Sequence, residues 1–207
     1  SFAAADVDRI RSGILAGLRN ESSSPDSSLD AFEQSVVYAG HPYANRPIGT
    51  IENVSRFTPE DLRTYYRGLL QTSRMLLVVV GDVDLTEMKK LVTASFADLP
   101  KGDYKSAPLP QLSFAKPTLD ITPRALSTNY VKGVFAAPSI GDPDYYAMRV
   151  AVALLQSRVY QEVRVKRNLS YAPNAEMGNL GANTGEIYVT AVDANQSISV
   201  MLAEIER

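Results

Sequence analysis

The sequence predicts an α+β protein in which helices pack on one face of largely antiparallel sheets. Three observations lead there. Before residue 97 apolar residues recur at helical spacing in several segments. A period-two run over 128–137 and apolar stretches after residue 171 read as strands joined by short turns. Between these regions, 99–117 carries Pro100, Pro108, Pro110 and Pro117 with Gly102 and no periodicity, which predicts a stiff connector separating 1–98 from 118–207.

Taken in order, 6–19 puts Val7, Ile10, Ile14, Leu15 and Leu18 on one helical face with Arg9, Arg11 and Arg19 outside it. Gly13 and Gly17 each cost about 1 kcal/mol relative to alanine inside a helix, so close approach of a neighbouring element is expected there. A polar turn over 20–28 precedes a second helix marked by Leu29, Phe32, Val36 and Val37, capped by Asp26 or Ser28 and ending near Gly40. A proline-pinned loop over 40–50 follows, and Thr50 opens a short helix at Ile51. Thr58-Pro59-Glu60-Asp61 is a helix start: a capping residue, proline at the first position and acids in the first turn. The continuous apolar run 75–80, bounded by Gly81-Asp82, fits a strand buried on both faces. Asp84, with Glu87 three residues on, opens a helix whose face is Met88, Leu91, Val92 and Phe96. Gly81-Asp82-Val83 lacks the glycine-rich loop that cradles phosphate and reads as a turn.

Beyond the connector, 118–122 and 128–137 read as strands, and a helix starting at Asp142-Pro143-Asp144 carries Tyr146, Val150, Ala153 and Leu154. It leads into 161–172, where Val159 and Val163 share a face and Arg164, Lys166 and Arg167 suit the negative end of the helix dipole. Asn168 tolerates the left-handed conformation and is the expected helix stop. Tyr171 then falls on the first residues of an extended segment, so that it and Arg164 can reach one point. Paired strands to Met177 and over 186–192, around a loop at 178–185, and a last helix from Asn195 complete the reading.

Composition narrows the function classes. The chain has 207 residues, 45% hydrophobic and 21% charged, an ordinary globular balance. A net charge of -2 with scattered signs offers no basic face for nucleic acid, and no apolar run approaches the roughly 18 residues of a membrane span. The absence of cysteine excludes disulfides and thiol catalysis and suits either redox compartment. Composition leaves the compartment open; the expectation favours the periplasm over the cytoplasm. No signal peptide is visible at the start of the sequence.

An arginine followed seven residues later by tyrosine, in the context Glu162-Val163-Arg164 … Leu169-Ser170-Tyr171-Ala172, resembles the second half of insulinase-like metallopeptidases. That family includes pitrilysin, the mitochondrial processing peptidase and bacterial zinc peptidases. The loop Gly40-His41-Pro42-Tyr43 with Gly49-Thr50 resembles the family's His-Pro-Tyr loop, and Thr58-Pro59-Glu60-Asp61-Leu62 followed by Val78-Val79-Val80-Gly81-Asp82-Val83-Asp84 repeats another of its patterns. The resemblance implies parts of two similar metallopeptidase-like domains: the later part of a first over 1–98 and the first part of a second over 118–207.

It further implies that Arg164 and Tyr171 contact a substrate peptide, and take a catalytic part, beside a zinc ion held by another half. A guanidinium and a phenol are donors suited to a developing oxyanion, each worth about two to three powers of ten in rate. Without the family, Arg164 reads as a solvated dipole partner and Tyr171 as half-buried core.

Two departures bear on the metal. The inverted zinc motif His-x-x-Glu-His is absent from these residues, and Gly17 or Ala16 stands where the resemblance places a metal-binding glutamate. One histidine, His41, without cysteine is thin material for a zinc site and reads as a structural loop residue. A third departure is that Leu155-Gln156-Ser157 lacks the glycine-rich turn usual in the family.

The expected function is a non-catalytic subunit binding peptide through Arg164 and Tyr171 for a zinc-bearing paralogous partner or in a homodimer, with no metal or cofactor of its own. A complete zinc peptidase with its metal motif upstream, or a structural assembly subunit of the same fold, are the alternatives.

Overall fold

The computed structural model describes residues 2–21 and 23–207; Ser1, and Ser22 of the polar turn, lie outside the described residues. In chain order the elements are α1 (Ala4–Glu21), α2 (Pro25–Val37), α3 (Ile51–Arg56), α4 (Pro59–Leu69), α5 (Leu85–Phe96), β1 (Asn129–Ala137), α6 (Tyr145–Val159), β2 (Asn174–Met177), β3 (Asn183–Ala191) and α7 (Ala194–Ile205). They form an α+β fold with an antiparallel sheet, as the sequence predicts. Two compact units emerge. One comprises Ser1–Arg19 with Ile48–Pro108, the other Asn20–Pro47 with Leu109–Arg207.

In the first unit local signals act as read. The Thr58 hydroxyl accepts the Asp61 N–H at 3.2 Å while the Asp61 carboxylate accepts the Thr58 N–H at 2.8 Å, a capping box that satisfies two helix-end donors of α4. Asp84 caps α5 by accepting the Glu87 N–H at 2.8 Å. The start of the proline-rich segment is tied down: Thr72 N–H donates to Pro100 O at 2.9 Å, Ser73 N–H to Lys101 O at 2.8 Å, and the Arg74 guanidinium stacks 3.9 Å over the Tyr104 ring.

The predicted strand over 75–80 is not formed. Its residues form no ladder with any described segment, and Leu76 and Val80 are 89% and 92% exposed. Strand structure needs a partner to take its N–H and C=O groups, and β-propensity supplies none. Nor do Gly13 and Gly17 meet a neighbouring element; a Cβ on either would have open space. The structure offers no reason for glycine at these two positions.

The second unit holds the core. Its three-stranded sheet has the order β1-β3-β2, every pair antiparallel, with Val131 opposite Val189, Gly133 opposite Ile187 and Ala175 opposite Ile187. Strict alternation along β3 buries Ile187, Val189 and Ala191, which pack with Ala175, Val159 and Val163 and with Met201 of α7. Gly185 lies under Phe135, its cross-strand partner, whose ring a Cβ would meet at 2.3 Å. The other face carries Lys132, Glu186 and Tyr188, and α2 lies across it.

Three readings change here. The helix α2 begins earlier than expected: Ser24 is the cap, accepting the Ser27 N–H, and Pro25 occupies the first turn. Residues 118–122 form no strand, and Leu119 and Ile121 are exposed. In α6 the inward stripe is Tyr145, Val152 and Val159, seven residues apart, while Tyr146, Val150 and Leu154 face out. The helix is apolar on both stripes, so periodicity alone could not choose between them.

Candidate functional site

The site grows from the way α6 ends. After Val159 the helix widens into a π-helical turn, Tyr160–Val165, in which the Lys166 N–H donates to Gln161 O at 2.9 Å. Such turns insert one extra residue and recur at functional positions. Val159 and Val163 remain fully buried on the shared face, anchoring the turn to the core. Gln156, within the glycine-free 155–157, accepts the Ala175 N–H at 2.5 Å and so ties the start of β2 to α6.

The turn closes at Asn168, whose φ of 51° is left-handed, as expected of a helix stop. The Asn168 N–H donates to Arg164 O at 3.2 Å and the Leu169 N–H to Val163 O at 2.9 Å. These nested bonds are those of a Schellman cap, each lengthened by one residue to fit the wider turn.

Glu162 is buried beneath the turn. It accepts Lys166 Nζ at 2.5 Å and the Arg167 guanidinium. These two cations, Lys166 first, hold its carboxyl down to about 2 from an ordinary value of 4.5. A depressed folded value means that Glu162 stabilises the fold above the ordinary carboxylate range, and that this contribution is lost as pH falls through the folded value. Glu162→Gln is therefore expected to lower the melting temperature at neutral pH, with the difference from wild type closing between about pH 4.5 and 2 in acid melts.

Both anticipated site residues lie at this helix end, in contact. The Arg164 Cζ sits 4.4 Å from the centroid of the Tyr171 ring, within cation–π range, and its Nη1 donates to Asn168 Oδ1 at 3.2 Å. Tyr171 does not open a strand. It occupies a bend three residues before β2 and is 78% exposed, so it is not a core residue either. Of the cations in this stretch, Lys166 and Arg167 bind Glu162, whereas Arg164 has no carboxylate among its recorded partners within the described residues. The result is an exposed phenol stacked on a guanidinium that has no ion-pair partner among the described residues.

His41 is placed as a structural residue. Its Nδ1 accepts the Tyr43 N–H at 3.0 Å, which makes Nε2 the donor to Pro110 O at 3.0 Å, and its ring packs on Tyr38 and Tyr43. Both nitrogens are occupied. His41→Phe keeps the ring contacts but orphans the Tyr43 N–H and the Pro110 carbonyl, at an expected loss of about 1–3 kcal/mol in chemical denaturation. With Ala16 and Gly17 where the resemblance puts a glutamate, these residues do not fit a zinc ion. Among the described residues no group of three or more His, Cys, Asp or Glu side chains could hold a metal.

One cluster went unread in the sequence. Lys132 Nζ lies 2.9 Å from Asp30, 2.8 Å from Glu33 and 3.1 Å from Glu186, between α2 and the sheet. Burial pushes the Glu186 carboxyl up, against the pull of Lys132, and burial with the bond to Asp26 raises the Tyr188 phenol. The available signal was the placement of Asp26, Asp30 and Glu33 on one face of α2, opposite the charged residue inside β1.

Comparison with known proteins sets these features in a family. An uncharacterized zinc protease of Mycobacterium leprae is 28% identical over 215 aligned residues, covering 97% of this chain and 48% of that protein. The crystal structure of a peptidase M16 inactive domain from Pseudomonas fluorescens superimposes with a TM-score of 0.82 at 20% identity, covering 100% of this chain and 52% of that one. The first half of the periplasmic protease PqqL from Escherichia coli gives 0.65 at 20% identity, covering 99% and 47%. The chain thus spans about half the length of these relatives. Because the family described as the peptidase M16 inactive domain matches residues 56–207, this chain belongs to it.

Proposed function

We propose that this chain binds substrate peptide through Arg164 and Tyr171 on behalf of a zinc-bearing paralogous subunit. The observation that carries this reading is the exposed Arg164–Tyr171 stack, at which Arg164 keeps an unneutralised charge. A guanidinium presents a planar fork of five donors; one edge is held by Asn168 and one face by the Tyr171 ring. The remaining donors can take a peptide carbonyl or carboxylate, and the phenol can donate to a second carbonyl oxygen of the same segment. Peptide bond cleavage belongs to the zinc-bearing unit, since His41 is occupied and Gly17 and Ala16 have no ligating groups.

In this reading 1–98 is the later part of a first family domain, 99–117 the connector and 118–207 the first part of a second, and the working compartment is the periplasm, as for PqqL. A complete peptidase with its metal motif before residue 1 is the second reading, favoured by relatives twice as long that are described as zinc proteases. Arg164→Ala tests the proposal. Peptidolysis by the chain reconstituted with its zinc-bearing unit should fall at least tenfold with an elevated KM, since a ground-state contact is lost too. Unchanged kinetics would leave the chain an assembly subunit.

A further inference from the structure

We propose that Asn168 is a positioning residue: its amide oxygen fixes the Arg164 guanidinium over the Tyr171 ring without neutralising it. The inference rests on the reading of Arg164 and Tyr171 as peptide-binding groups, and it adds a residue for which neither family membership nor the predicted pair gives a role.

Asn168 is the non-glycine residue with positive φ among those described. Glycine is the default at a left-handed helix stop because it has no Cβ to clash with the following carbonyl, and asparagine is the tolerated exception. A side chain kept at such a position invites the question of what it holds, and the answer is Arg164. The two residues are joined twice: Asn168 N–H to Arg164 O at 3.2 Å, and Arg164 Nη1 to Asn168 Oδ1 at 3.2 Å. The first bond places Cα of Arg164 relative to the stop. The second stops the guanidinium from turning about its long stem.

The chemistry of the acceptor matters as much as its position. Lys166 and Arg167 are each held by a carboxylate, Glu162, which cancels charge as it orients them. Arg164 is held by a neutral amide, which orients it and leaves the charge available. An aspartate at 168 would supply the same oxygen and tolerate the same backbone, yet it would pair with Arg164 and compete with any carbonyl or carboxylate arriving from a peptide. Glycine would keep the stop and release the cation. These three side chains therefore separate the turn, the orientation and the charge.

The test uses the full chain with 15N-labelled arginine and reads two quantities. In the first, hindered rotation should give resolved Arg164 Nη proton signals in wild type and in Asn168→Asp, and averaged ones in Asn168→Gly. In the second, the anisotropy of fluorescein-labelled tryptic casein peptides reports affinity. Asn168→Gly should bind about three- to tenfold more weakly than wild type, less than a buried bond to a charged group is worth because this one is solvent-exposed. Its melting temperature should stand at or above that of wild type, a combination that a purely structural role for Asn168 would not produce. Asn168→Asp should also bind more weakly although its guanidinium is held.

If the Arg164 signals are the same in wild type and Asn168→Gly, the positioning role is overturned whatever the peptides do. If Arg164→Ala weakens peptide binding and Asn168→Gly does not, the inference falls and the peptide-binding reading stands. If Arg164→Ala binds as wild type, or wild type binds no peptide, that reading falls, and the rotation measurement still decides whether Asn168 holds the guanidinium.

Discussion

Tyr171→Phe is expected to lower peptide turnover by the chain with its zinc-bearing unit by roughly ten- to a thousandfold, with no change in melting temperature. The size follows from what is removed. Phenylalanine keeps the ring on which the Arg164 guanidinium stacks at 4.4 Å and deletes one hydroxyl. Tyr171 is 78% exposed, and its hydroxyl makes no hydrogen bond among the described residues, so its loss leaves the fold's contacts in place. Tyr171→Ala sharpens the comparison. At this exposure it should cost less than about 0.5 kcal/mol of stability, plus the roughly 0.5–1 kcal/mol of an exposed cation–π contact. A tyrosine of the core would instead cost several kcal/mol on truncation. Turnover of both variants beside their thermal melts decides the matter: a fully active Tyr171→Phe chain would end the catalytic part that the resemblance implies for Tyr171.

What could be read from the sequence, and what could not, divides along sequence separation. Asp84 with Glu87, Thr58 with Asp61 and Asn168 at the helix stop are chemistry within one turn of chain, and each forms as expected. The strand read from 186 was legible because one face of β3 is core and the other polar, but β3 already begins at Asn183, inside the stretch 178–185 that reads as a loop. The run 75–80 was misread for the opposite reason: strand structure is a property of a pair, and no local rule says whether a partner is present. Choosing the inward face of α6 failed because apolar residues line both stripes. At the site, motif context brought Arg164 and Tyr171 forward, but their approach depends on a π-turn that no spacing rule announces. The Glu162 clamp lay hidden inside what looked like a plain run of basic residues at a helix end.

The largest stability effect expected in this chain belongs to a residue that sequence reading passed over. Lys132 is only 12% exposed and sits among Asp30, Glu33 and Glu186, the last two also largely buried and brought in from positions 99 and 54 residues away. Lys132→Ala leaves Glu33 and Glu186 facing each other without a cation, and breaking a buried pair in this way costs about 3–5 kcal/mol. The penalty should depend on pH with a definite sign. In the variant Glu186, which burial already pushes up, also loses the downward pull of Lys132, so the fold favours its neutral form. Stability missing at pH 7 is then recovered as pH falls through the carboxylate range, and the gap to wild type narrows in acid. In wild type, burial already pushes Glu186 upward, the same tendency with the cation still present. Replacing all three groups, as Lys132→Met with Glu33→Gln and Glu186→Gln, should restore most of the loss, because the deficit lies in the orphaned charges and not in missing attraction. Urea denaturation at pH 7 and at about pH 4 measures both statements. A Lys132→Ala deficit that is the same at the two pH values would show that Lys132 acts through the packing of its stem and not through its charge.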